Sequence, residues 1–266
     1  MKHRTAAVLI GLLVVLCLVL SITYPFTTAT PHATNPHGER FTVGNADTYR
    51  ATGEIAVEGE VKLAFEGVVA PDGSWYQKVV EDNVTSEAYY SSGDGTIYRR
   101  YRITGLDQTK QFRERITEDE DEALLRENKA GNRTTFLVEE TTANATEPVS
   151  GTASVFVNEL SLVRYADGGS DSSAVTLYEP RSGWYDGRQM YRITDPSGTV
   201  RANPDTHVVR SANVSWETTT PAGSYAEYTL VSLTTDDPTA RTITFEFDPG
   251  DDDLEQPAWV TETEFE

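Results

Sequence analysis

The chain is poor in cysteine, histidine, methionine and lysine. Its 266 residues include one Cys, two Met and four His. Cys17 sits inside an N-terminal apolar run, so the rest of the chain has no disulfide, no thiol nucleophile and no Cys-ligated zinc. His3, His32 and His37 precede the body of the chain, which leaves His207 as its imidazole. His207 follows Pro204-Asp205-Thr206 and reads as a surface turn residue. No Gly-x-Ser-x-Gly surrounds any serine, so Ser–His nucleophilic chemistry has no motif behind it. Lys and Arg together number 22 and only 5 are Lys, against 42 Asp and Glu, for a net charge of −20. A surface that acidic repels nucleic acid, which excludes DNA and RNA as partners.

That charge also destabilises a compact state through self-repulsion. Concentrated salt removes the repulsion, because the Debye length falls to about 3 Å at 1 M. Many carboxylates with few lysines therefore read as adaptation to very salty surroundings. The same excess dilutes every acidic signal. No carboxylate pair stands out for glycoside hydrolysis. The run Asp248-Pro249-Gly250-Asp251-Asp252-Asp253 offers oxygen ligands for calcium, but it lacks EF-hand spacing and reads as a solvated loop. No cofactor, no metal and no enzymatic activity is expected.

What is present begins with the leader. Met1-Lys2-His3-Arg4 is basic, and Ala6 to Leu20 follows without a polar residue. Continued to Phe26, the run is long enough to cross a bilayer. The basic end stays in the cytoplasm and the remainder is exported. Residues 1–26 thus read as a signal peptide or, preferentially, a retained anchor in the cytoplasmic membrane; secretion after cleavage is the alternative. Val14-Val15-Leu16 before Cys17 do not form a lipobox. Residues 27–48 are rich in Thr and Pro and read as an extended tether. Residues 49–266 read as one extracytoplasmic domain. Hydrophobic residues make up 38% of the chain, with 13 Tyr and 4 Trp, enough for a core. Four glycosylation sequons lie in the exported part, at Asn83, Asn132, Asn144 and Asn213.

The body alternates with period 2. From Glu54 to Val69 every odd position is apolar or Gly, while most even positions are charged. This is a strand with one buried and one wet face, long enough to need a bend at Gly59 or Gly67. Turns at Pro71-Asp72-Gly73 and Ser91 to Gly95 separate strands at Trp75–Val80, Val84–Tyr90 and Thr96–Ile103. Further strand patterns surround a turn at Asp186-Gly187, run from Val208 to Trp216, cover Tyr228 and Leu230, and run from Ile243 to Phe247. Helices are expected at Thr117–Lys129, with acids first and Gly131 beyond its end, and at Ser154–Tyr165. The Arg99, Arg100 and Arg102 cluster on a strand should pair with Glu on neighbouring strands. The expected fold is mainly β (α+β): a curved antiparallel sheet or half-open β-barrel of about ten strands with one or two covering helices.

The exported leader, the Thr/Pro tether and the Gly-punctuated strand Ile55 to Val69 form a recognisable layout. So do the turn-Tyr hairpins Asp72-Gly73-Ser74-Trp75-Tyr76 and Asp94-Gly95-Thr96-Ile97-Tyr98. The segment Tyr185 to Ile193 and the closing Phe245 to Val260 complete it. In this layout the chain resembles haloarchaeal envelope proteins similar to the lipoprotein carrier LolA. That resemblance implies a half-open barrel closed by helices around an apolar cavity that holds acyl chains. The ligand-lining residues nominated on the strands are Val57, Val61, Leu63, Phe65, Tyr101 and Ile103. Two functions are carried forward: a binder or carrier of a lipid or other hydrophobic ligand, and a non-catalytic structural or interaction module of the cell envelope.

Overall fold

The computed structural model describes residues 41–93, 95–118, 122–141, 148–172, 174–184, 192–219, 221, 230, 233, 237–250 and 254–261. The expected anchor, the tether as far as residue 40, the Asp186-Gly187 turn and Asn144 lie outside them. No helix among the described residues is long and apolar enough to cross a membrane. The strands are β1 (Tyr49–Val57), β2 (Glu60–Val69), β3 (Trp75–Glu81), β4 (Val84–Tyr90), β5 (Thr96–Thr104), β6 (Glu122–Ala130), β7 (Arg133–Thr141), β8 (Arg164–Ser172), β9 (Val175–Arg181), β10 (Gly183–Trp184), β11 (Arg192–Ala202), β12 (Val209–Thr218) and β13 (Thr239–Asp248). The helices are α1 (Leu106–Glu118), α2 (Val149–Leu160) and the short α3 (Ala258–Thr261). All named strands belong to one sheet, in the order β6-β7-β5-β4-β3-β2-β1-β13-β12-β11-β9-β8, with β10 beside β11. Every named strand pair is antiparallel, and β6 and β8 stand at the two ends of an unclosed sheet. The fold is mainly β, as the alternation required, with more strands than the ten expected.

Three local expectations are corrected. The single bent strand from Glu54 to Val69 is a hairpin, β1 and β2 joined at Glu58-Gly59. Both turn residues have positive φ, 53° and 75°, which matches the twist of a two-residue hairpin. Alternation does not reveal this turn: the two-residue turn sets Val57 opposite Glu60 and reverses the parity, and the extra residue Lys62 restores it by Leu63. The helix placed over Thr117–Lys129 lies upstream, at Leu106–Glu118, and Glu122–Ala130 is the edge strand β6. β6 is exposed over most of its length and has a register shift between Leu124 and Arg126, so it shows no clean period 2. Gly131 is then the turn into β7 and not a helix cap. The second helix begins and ends about a turn earlier than Ser154–Tyr165, because Val149 and Ala153 complete its buried stripe. Leu230, read as part of a strand, is helical and exposed. His207 does occupy a turn, with φ 57°, but is buried.

α2 holds the main core. Val149, Ala153, Phe156, Val157 and Leu160 face one way and are fully or almost fully buried. A helix of 12 residues is about 18 Å long, the width of four strands. It packs accordingly on β13, β1, β2 and β3. Two glycines permit this close approach. A Cβ on Gly53 would lie 2.7 Å from the Phe156 ring, and one on Gly67 would lie 2.3 Å from Val149 Cγ1. Phe156 stacks between Phe65 and Phe245, at 5.8 and 6.3 Å between centroids. The Tyr165 hydroxyl donates to the Leu160 carbonyl at 3.1 Å and ties down the last turn of the helix. Phe41 packs edge-on against Tyr165 and Tyr178, so the core already includes the first described residue.

Candidate functional site

The register lays the core face out in rows. One row runs Ile55, Leu63; the next runs Gly53, Phe65, Val79, Ser86, Tyr101, Phe136. α2 covers Phe65 at one side of this area. α1 covers the other side, where Ile103, Ile116, Phe136 and Val138 form a separate buried cluster. Phe112 of α1 sits on Tyr101 and Phe136, at 4.5 and 5.2 Å between centroids. Ile55, Val57, Leu63, Val79, Val84 and Tyr101 are only half-buried. They form an apolar strip on the core face between the two helices.

Five of the six nominated residues lie on this face. Val57, Leu63 and Tyr101 belong to the strip, Phe65 is buried under α2, and Ile103 is buried under α1. The two clusters are distinct, so Phe65 and Ile103 do not meet. Val61 stands apart. Ile55 pairs with Leu63 but Ala56 pairs with Val61, which makes Lys62 the extra residue of a β-bulge. The bulge reverses the alternation and turns Val61, 44% exposed, to the other face. Val79 and Val84 also join the strip, and their apolar β-branched side chains in predicted strands were the signal for them.

Polar groups rim the strip beside Tyr101. Arg99 donates from Nε to Glu140 at 2.6 Å, and Arg115 of α1 lies 3.4 Å from Glu122. Burial raises the Tyr101 phenol above its ordinary pKa, so the group is neutral. At the opposite end, Val57 is paired with Arg241 of β13, which in turn is paired with Trp216 of β12.

The outer face carries a different centre. The Glu87 side chain, 6% exposed, accepts from Arg100 Nε and Nη2 at 2.8 and 2.9 Å, from Arg102 Nη2 at 2.8 Å and from the Tyr76 hydroxyl at 3.1 Å. Burial pushes the carboxyl pKa up, but hydrogen bonds and charge from Arg100 and Arg102, with Tyr76, outweigh it and hold it below the ordinary value. The Trp259 ring of α3 lies 5.0 Å from the Arg100 guanidinium and packs among Tyr89 and Leu137. These contacts fulfil the expected arginine–glutamate pairing between strands, with Arg99 to Glu140 and both other arginines to Glu87. Beside this centre is an open depression of about 350 Å³, walled by Thr52, Glu54, Glu66, Lys78 and Thr244. Asn83, Asn132 and Asn213 have exposed side chains.

The fold and its two faces thus define an unclosed antiparallel sheet with α1 and α2 seated on its apolar side. No protein-family model, curated protein or solved structure matches the chain.

Proposed function

We propose that this is a non-catalytic extracytoplasmic binding protein, anchored in the cytoplasmic membrane by residues 1–26, that holds a lipid acyl or isoprenoid chain on the core face of its sheet. One observation carries the reading: two helices cover separate parts of an apolar sheet face and leave the strip from Val57 and Leu63 to Tyr101 half-buried between them. An alkyl chain laid there gains about 0.8 kcal/mol per buried CH2. Twelve strands laid flat would spread roughly 50 Å, and the right-handed twist accumulated over them favours a curved, half-open barrel. That shape is the one implied by the resemblance to LolA. Native mass spectrometry of the full chain purified in high salt tests it. An apolar molecule should co-purify, and Leu63→Glu should abolish its uptake. A clean ligand-free mass with no uptake of added lipid would overturn the reading.

A second reading has its own observation. Val149, Ala153, Phe156 and Leu160 are all 0% exposed, so α2 fills the centre of the core face with the protein's own side chains. A structural or interaction module of the envelope needs no more than that, and the same ligand-free result would favour it.

A further inference from the structure

The end of the apolar strip holds two hydrogen-bond donors that the described residues leave unused. Trp216 of β12 and Arg241 of β13 are directly opposite each other. Val57 is opposite Arg241 on its other side. Alternation puts all three on the core face, in line with Val214 and Ile243, both buried. Side chains directly opposite in an antiparallel pair have Cβ atoms about 5 Å apart. Trp216 Nε1 and Arg241 Nε are both shielded from solvent and have no hydrogen-bond partner among the described residues. Arg241 also makes none of the ion pairs that occupy Arg50, Arg99, Arg100, Arg102, Arg113, Arg115 and Arg181.

In a chain with 42 carboxylates, a half-buried arginine on the core face with no carboxylate partner among the described residues is unexpected. Glu60, opposite Val57, is bonded to Lys62 at 2.8 Å and is mostly exposed, and Glu58 of the turn accepts from the Ala240 N–H. Buried polar groups are hydrogen-bonded in the great majority of cases, and an orphaned donor costs its full desolvation. Two adjacent orphans of the same kind call for one acceptor between them. An indole N–H offers one donor and a guanidinium offers several with a positive charge, so the complementary group is an anion with more than one oxygen.

We propose that Trp216 and Arg241 form the headgroup subsite of this protein, and that its ligand is an amphiphile with a carboxylate, phosphate or sulfate head and an alkyl chain running from Val57 along Ile55 and Leu63. This rests on the apolar-strip reading for the chain, but not for the anion. The acidic exterior then works as a filter: free anions are repelled by the net charge, and an anion attached to an apolar chain gains the burial that offsets the repulsion.

The test compares decanoate, decanol and acetate as probes for the full chain in about 1 M NaCl, where long-range repulsion is screened. Affinities are read by calorimetry. Decanoate should bind about tenfold or more tightly than decanol, the range for a hydrogen bond to a charged group. Arg241→Gln should erase that difference. Trp216→Phe, which keeps the ring and removes the donor, should narrow it. Arg241→Lys keeps a charge and serves if the Gln variant fails to fold; it should retain part of the preference. Equal binding of decanoate and decanol by the wild-type chain, or a preference that survives both Arg241 variants, overturns the headgroup subsite while leaving the apolar strip standing. Acetate binding that depends on Arg241, with no gain from the decyl chain, leaves a free-anion site and overturns the amphiphile. No binding of any probe overturns both.

Discussion

Gly53 of β1 lies against the ring of Phe156 of α2, so close that a Cβ there would sit 2.7 Å from Cδ1 of the ring. The contact fixes how deeply the helix seats on the sheet. Phe156 is held on both sides by Phe65 and Phe245 and cannot swing aside without breaking a stack. Gly53→Ala should therefore cost about 1–3 kcal/mol, the range for overpacking a filled core. Gly151, inside α2, meets nothing within 4 Å of the same added atom. Gly151→Ala should stabilise by up to about 1 kcal/mol through helix propensity alone. Urea titrations of both variants give the comparison. A neutral Gly53→Ala would mean that α2 is free to lift.

The Glu87 centre makes a prediction about acid. Removing one partner of a buried pair costs about 3–5 kcal/mol; the lower end applies because Arg102 is 34% exposed and can rehydrate. Glu87→Gln should thus lose about 3 kcal/mol at neutral pH. The folded carboxyl has a lowered pKa. Its stabilisation is complete above the unfolded value, about 4.3, and is lost as pH falls through the folded value. The gap between wild type and variant in denaturant midpoint should be constant from neutral pH to about pH 5 and should shrink below that. A gap that widens on acidification would contradict the sign of the shift.

Much of this fold is readable because its strands bury one face. Phe245 and Phe247, and Val214 and Trp216, alternate with polar residues, and each is in the core. What is not readable depends on single residues in uncommon backbone states. Glu58 has φ 53°, a conformation that glutamate seldom adopts, so nothing local separates β1 from β2. Lys62 is the extra residue of a bulge, and one residue suffices to move Val61 from the expected ligand side to the outer face. β6 lies at an edge with both faces wet, where acids and leucines in succession imitate a helix. The headgroup pair was beyond reach for another reason: Arg241 and Trp216 are 25 positions apart, and only the register of β12 on β13 sets them side by side.

The net charge of −20 predicts a salt dependence. Ion pairs at the surface, such as Lys62 with Glu60 and Arg181 with Glu179, weaken as salt rises. Repulsion among the excess carboxylates weakens with them, and on this chain the excess is the larger quantity. The melting temperature should climb as NaCl is raised from about 0.1 M, Debye length about 10 Å, to 1 M, about 3 Å. A flat or falling curve would remove the argument that the composition is an adaptation to brine.

The sequons at Asn83 and Asn132 stand at one end of the sheet. Asn83 is in the β3–β4 turn and Asn132 in the β6–β7 turn, and their carbonyls accept from Thr104 and Gly105 at 3.0 and 2.9 Å. Both asparagine side chains are exposed, but their acceptor triplets are not equally open. Thr85 is half-buried, whereas Thr134 is 1% exposed. Asn213 is mid-strand on β12, and Ser215 of its triplet is hydrogen-bonded to Thr242 at 3.0 Å. A transferase acting on the folded domain must reach the hydroxyl as well as the amide. Glycan occupancy should therefore be highest at Asn83, read by glycopeptide mass spectrometry of the protein from its native cells. Asn83→Gln should abolish the main glycoform with stability unchanged within about 0.5 kcal/mol, as for exposed surface positions. Fuller occupancy at Asn213 than at Asn83 would place glycan transfer before folding, and bare asparagine at all three would remove glycosylation as support for export.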